Sequence, residues 1–209
     1  MPKNKKTKKA AGESWLERGP VPAAILVIIC AVCVTLLALT ATATAEARAF
    51  QAKWLEDSNK RTLFPGIEDF PAEELESAGQ GIPGAHTLDL TLDHPDIYMV
   101  LLAGSREDPA GLIIGAQSKG YGGKVPVMVG FDLEGNIVGI VVDASGETAG
   151  LGQKTADPPF TDQFRGRAHD DAFSDIDSVS SATVSSVSVV RSVRTASAVF
   201  AELMQEGGR

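Results

Sequence analysis

Cysteine is nearly absent from this sequence: the two residues, Cys30 and Cys33, both sit inside its longest apolar run. The rest of the chain therefore has no thiol for a disulfide, a zinc site or an iron–sulfur cluster. Histidine is equally scarce, with His86, His94 and His169 scattered and without ligand spacing. Aromatic residues make up 6% of the chain, so any core leans on Val, Ile, Leu and Ala. No nucleophile elbow, Walker loop or Gly-x-Gly-x-x-Gly opening a βαβ unit is present, and no catalytic residue is assigned. A redox role would need a cofactor held by something other than Cys or clustered His.

Positive charge is lacking everywhere except at the start. Residues 1–20 carry Lys3, Lys5, Lys6, Lys8, Lys9 and Arg18 against Glu13 and Glu17, whereas the whole chain is at −8, so the body is strongly acidic. An acidic body argues against nucleic acid as a partner, because phosphate neutralisation needs a basic surface. The acidic stretch Asp69, Glu73, Glu74 and Glu76 reads as a solvated face. His169, Asp170 and Asp171 are adjacent in sequence and read as loop surface, with no metal assigned, since neighbours rarely point at one ion.

What is present begins with the uncharged run from Val21 to Ala45. A helix needs roughly 20 apolar residues to cross ~30 Å of hydrocarbon, which this run supplies. Lysines before it and acid after it place residues 1–20 in the cytoplasm and the body outside, as a single-pass membrane protein. A cleavable signal peptide is the competing reading, because Ala41-Thr42-Ala43 resembles a cleavage site. Cys30 and Cys33 share one helix face and read as membrane filler or a helix contact. Residues 46–65 continue as a juxtamembrane helix that Pro65-Gly66 stops. Residues 66–209 are the extracytoplasmic domain. Residues 66–96 read as loops, with a short strand over His86–Leu92.

Four apolar, β-branched segments follow: Ile97–Leu102, Leu112–Gln117, Val125–Phe131 and Ile137–Val142. Turn chemistry at Asp108-Pro109, Gly120-Tyr-Gly-Gly123 and Glu134-Gly-Asn136 separates them. Without intervening helices they predict antiparallel hairpins. Residues 143–176 read as loop with one or two helical turns, and Val184–Glu206 as a helix closing against the sheet. The fold class is α+β, an antiparallel sheet packed with helices and preceded by one transmembrane helix.

Two segments can carry chemistry. Glycines in Gly146-Glu-Thr-Ala-Gly-Leu-Gly152 allow a backbone to approach a planar ligand closely, although the segment also reads as a plain turn. Asp177-Ser-Val-Ser-Ser-Ala-Thr183 lies before the closing helix, where hydroxyls serve as N-caps and a phosphate is favourably seated.

These segments, with Gly120–Phe131, Asn136–Val142, Glu147–Lys154 and Phe160–Arg165, occur in the order seen in the FMN-binding domain family, which the chain resembles from about residue 20 to 206. That family includes the G subunits of Rnf-type ferredoxin:NAD electron-transport complexes and the C subunits of sodium-pumping NADH:quinone reductases; the compact length favours the Rnf type. The resemblance implies FMN joined through its phosphate to Thr183 by a separate flavin transferase. It places Glu147, Thr148, Gly150, Leu151 and Gly152 along the flavin ring, Lys154 near its polar groups, and Ser180, Ser181 and Ala182 beside the attachment point. It also implies an electron-transfer subunit, rather than an enzyme alone, working with other membrane and iron–sulfur subunits of an ion-translocating complex. A C-type quinone-reductase subunit and a free-standing flavinylated carrier are alternatives. A non-redox anchored adhesion or sensor domain, its Ser/Thr cluster only a helix cap, is the alternative of another class. Two positions depart from the family pattern: Ser181 stands where Gly is usual, and Ala149 where Pro is usual. Gly takes positive φ readily and Ser reluctantly, and loss of Pro returns backbone freedom to the loop.

Overall fold

The computed structural model describes residues 21–80, 82 and 84–205. The basic tail expected over residues 1–20 lies outside the described residues. The chain divides into two compact units, Met1–Trp54 and Leu55–Arg209.

The first unit holds α1, Val21–Ala43, and the start of α2, whose full range is Ala45–Leu63. The 23 residues of α1 reach about 35 Å at ~1.5 Å per residue, enough to cross a bilayer core. None of its side chains is buried by the protein. Its hydroxyls turn inward: Thr35 Oγ1 donates to Ala31 O at 2.7 Å, and Thr40 Oγ1 to Leu36 O at 2.9 Å. Such back-bonding satisfies polar groups within the helix itself, which an apolar solvent requires. Arg48 reaches back to the end of α1, donating to Ala41 O at 2.7 Å.

The second unit is built on one antiparallel sheet with strands in sequence order, β1-β2-β3-β4-β5. These are Ala72–Glu73, Ile97–Gly104, Pro109–Lys119, Lys124–Phe131 and Ile137–Val142. The four strands expected from sequence are all present, each meeting the next as a hairpin. The first, two-residue strand was not expected; it pairs Ala72 with Leu101 at the sheet edge. The region expected as a strand over His86–Leu92 contains instead a single bridge, Ala78 to Leu88, and the one-turn helix α3, Leu90–Asp93. Asp89 caps that turn through Thr91 N–H at 3.1 Å, so local capping outcompetes strand pairing. The acidic stretch is not uniformly solvated either. Glu73 has a nearly enclosed side chain and pairs with Arg106 at 3.0 Å.

Both faces of the sheet are covered, which is why its strands read as continuous apolar runs instead of alternating ones. On one face lie Leu63 and Phe64, against Leu101, Ala103, Ile113 and Met128. Gly111 makes room for them, since a Cβ there would sit 2.8 Å from the Phe64 ring. The other face packs on α5, Thr183–Met204, through Val189, Val193, Ala196, Val199, Phe200 and Leu203. Phe200 stacks on Phe131 with ring centroids 4.7 Å apart. Serines on the same face of α5 let the helix come close, and Ser188 Oγ donates to Ser118 O at 3.0 Å. Between β5 and α5 the chain makes a 3-10 turn at Gly152–Ala156, the short helix α4 at Pro158–Thr161, and a second 3-10 turn at Asp162–Phe164.

Candidate functional site

Three separate pieces of chain meet at the N-terminus of α5: the β3–β4 turn at 120–123, the loop 146–152 that follows β5, and the segment 181–185. They enclose a cleft of about 470 Å³ whose lining includes Tyr121, Glu147, Thr148, Leu151, Gly152 and Thr183. Glu147 joins all three. Its carboxylate is buried, and Oε1 accepts from Gly122 N–H at 3.0 Å while Oε2 accepts from the Ser185 hydroxyl at 2.5 Å. A buried carboxylate has to be compensated by donors of this kind, so the geometry of the turn, loop and helix is set together. Gly152 permits the approach: a Cβ there would lie 2.7 Å from Glu147 Oε2 and 2.9 Å from Ser185 Oγ.

The start of α5 departs from the expected serine cap. The N-cap position is Ala182, with no side-chain capping bond. Ser186 is used instead to brace the approach: its Oγ accepts from Val179 N–H at 3.0 Å and donates to Ala182 O at 3.0 Å. The amides of Thr183, Val184 and Ser185 open the helix, where no preceding turn supplies an acceptor. They sit at the positive end of the helix dipole, beside the exposed Thr183 side chain. An uncapped helix start, an exposed hydroxyl and an adjoining cleft with apolar walls together fit a planar ligand that ends in a phosphate.

Ser181 precedes this helix start at φ +64°. A side chain in that region costs on the order of 1 kcal/mol, which glycine avoids. Ser181→Gly is therefore expected to stabilise the domain by about 0.5–1 kcal/mol, the gain being trimmed by the greater freedom of glycine in the unfolded chain. Urea unfolding measures this; a fall in stability would mean that the Ser181 side chain contributes more than its backbone costs.

The residues assigned from sequence divide into two groups. Glu147, Thr148, Leu151, Gly152, Ser181, Ala182 and Thr183 are brought together on the cleft. Gly150 lies in the turn before Leu151 at φ +73°, Lys154 is exposed in the 3-10 turn, and Ser180 is exposed ahead of the helix; these three are outside the lining. Tyr121, Val184 and Ser185 line the cleft without having been singled out. The signal for Tyr121 was an aromatic set between glycines in a turn. Ser185 could be recognised only once Glu147 was known to be buried. In the His169-Asp170-Asp171 loop, away from the cleft lining, Asp171 has structural partners: it accepts from Arg167 at 3.1 Å and from Phe173 N–H at 2.7 Å. Among the described residues no group of three His, Cys, Asp or Glu is placed to hold a metal ion.

Comparison with known proteins gives a concordant picture. The chain is similar in structure to the C subunit of the Na(+)-translocating NADH-quinone reductase from Parabacteroides distasonis, with a TM-score of 0.54 and 16% identity over 77% of this chain and 98% of that one. Shewanella oneidensis NqrC aligns with a TM-score of 0.44 and 16% identity, over 64% of this chain and 80% of that one. At such identity the first likeness is one of fold. No curated protein is significantly similar to the chain in sequence. Residues 120–198, which run from the Tyr121 turn through the loop at Glu147 into α5, match the FMN-binding domain family, and the chain resembles that family in both its motifs and its fold.

Proposed function

We propose that this protein is a membrane-anchored electron-transfer subunit that carries FMN covalently on Thr183. The observation that carries the reading is the exposed Thr183 hydroxyl at an uncapped helix start, beside a cleft built from the glycine loop of an FMN-binding domain. The opening amides of α5 would hold the phosphate, and the apolar walls of the cleft would exclude water from the ring. Bound FMN would supply the one- and two-electron chemistry, the protein providing orientation and electrostatics. Thr183 needs no neighbouring base, because a separate flavin transferase would form the phosphoester. With the Ser/Thr segment supplying no side-chain cap to α5, the reading of it as a mere cap in an adhesion or sensor domain loses its support.

The complex we favour is an ion-translocating ferredoxin:NAD oxidoreductase of Rnf type, with membrane and iron–sulfur subunits as partners, on the strength of the motif resemblance. The fold shared with the Parabacteroides distasonis protein favours a C-type quinone-reductase subunit as the second reading. Co-purification of membrane subunits distinguishes the two. Intact mass spectrometry of native protein, with peptide mapping, tests the flavin itself: the expected adduct is one FMN less one water on the peptide containing Thr183.

The orientation has its own expected result. A reporter fused after residue 209 reads as extracytoplasmic, and the native chain keeps α1. A mature N-terminus near Thr44 would instead make α1 a cleaved leader.

A further inference from the structure

Tyr121 is 75% exposed, yet the turn that carries it is tied down on both sides of it. Gly120 N–H donates to Gly123 O at 2.7 Å, closing the β3–β4 hairpin, and Gly122 N–H is held by the buried Glu147 carboxylate. The glycines on either side of Tyr121 are pressed against the neighbouring loop. A Cβ at Gly120 would meet Glu147 Oε1 at 2.4 Å, and one at Gly122 would meet Gly146 O at 2.1 Å. Only glycine fits at these two positions, and the tyrosine between them borders the cleft. Leu151 and Val184, both exposed, border the same cleft from the other two segments. A large aromatic on a fixed backbone, unburied by its own domain and set at the edge of an apolar cleft, is arranged to contact something flat.

We infer that Tyr121 stacks on the isoalloxazine ring and covers its outer face, so that this residue sets the optical and redox environment of the flavin. The inference rests on the flavin assignment above and deepens it by naming a residue that touches the ring. Its consequence is photophysical. An excited flavin takes an electron from a stacked phenol and returns it without net chemistry, which quenches its fluorescence. Phenylalanine stacks but is a poor electron donor, and tryptophan both stacks and donates.

The experiment uses the full-length protein co-expressed with a flavin transferase. Flavin fluorescence is recorded per covalently bound FMN, with the amount of FMN measured on the denatured protein. Tyr121→Ala and Tyr121→Phe should each raise the native fluorescence severalfold, Tyr121→Trp should keep it as low as in the wild type, and all four proteins should unfold alike. The split between Phe and Trp is a readout that loss of a structural contact would not produce. Wild-type fluorescence from Tyr121→Ala at equal FMN content would overturn the stacking role while leaving the flavin assignment intact. A wild-type protein without covalent FMN would overturn both.

Discussion

Thr183→Ala is expected to abolish covalent flavin altogether, giving folded, colourless protein even when a flavin transferase is present. The side chain removed is exposed at the first turn of α5 and lies outside the cores on both sheet faces, so the fold has no reason to respond. Ser180→Ala supplies the control: Ser180 is an exposed hydroxyl three residues away and outside the cleft, and this variant should stay fully flavinylated. Ser185 and Ser186 are poorer controls than their hydroxyls suggest. The first is committed to Glu147 and the second braces Val179 and Ala182, so truncating either changes the shape of the site. Ultraviolet fluorescence of the denatured band reads the result directly. A Thr183→Ala band that still glows would move the attachment to another hydroxyl.

Glu147→Ala should lower stability by about 2–4 kcal/mol, the second large effect. Truncation leaves the buried Ser185 hydroxyl without its acceptor, which costs roughly 1–3 kcal/mol, and removes the part-buried bond to Gly122 N–H, worth about 1 kcal/mol more. Glu147→Gln keeps a carbonyl oxygen for one donor and most of the volume, so its loss should be less than half as large. Urea unfolding of the two variants measures the difference. Stability of Glu147→Ala within about 0.5 kcal/mol of wild type would show that the three segments are held by packing alone. The same variant loosens the seat of any flavin, so the circular dichroism of bound FMN should weaken even where Thr183 remains modified.

The strands were legible because they are short, apolar and separated by turn residues, and β2 to β5 lie where those signals put them. The closing helix was legible from its charge-poor apolar spacing. The His86–Leu92 strand failed because a local Asx cap at Asp89 competes with pairing, and periodicity carries no information about such a cap. The helix start was misread in a more instructive way. A run of hydroxyls before a helix normally supplies the N-cap, but here an alanine occupies that position and Ser186, inside the helix, faces backward to brace the preceding turn.

By itself the sequence determined the span-length apolar helix, the antiparallel hairpins and the lack of cysteine after Cys33, and its resemblance to a family pointed to Thr183 as the candidate acceptor. Each of these is local in the chain, a matter of run length, periodicity, composition or motif. Only the tertiary structure decided that Glu147 is buried, that it ties the Gly122 turn to Ser185, and that Tyr121 borders the same cleft. Those contacts join residues far apart in sequence, and a carboxylate, a serine or a tyrosine looks the same in the chain whether solvent or a neighbouring segment meets it. Burial and convergence belong to the packed sheet and helix, and so they could be seen only once the chain had folded.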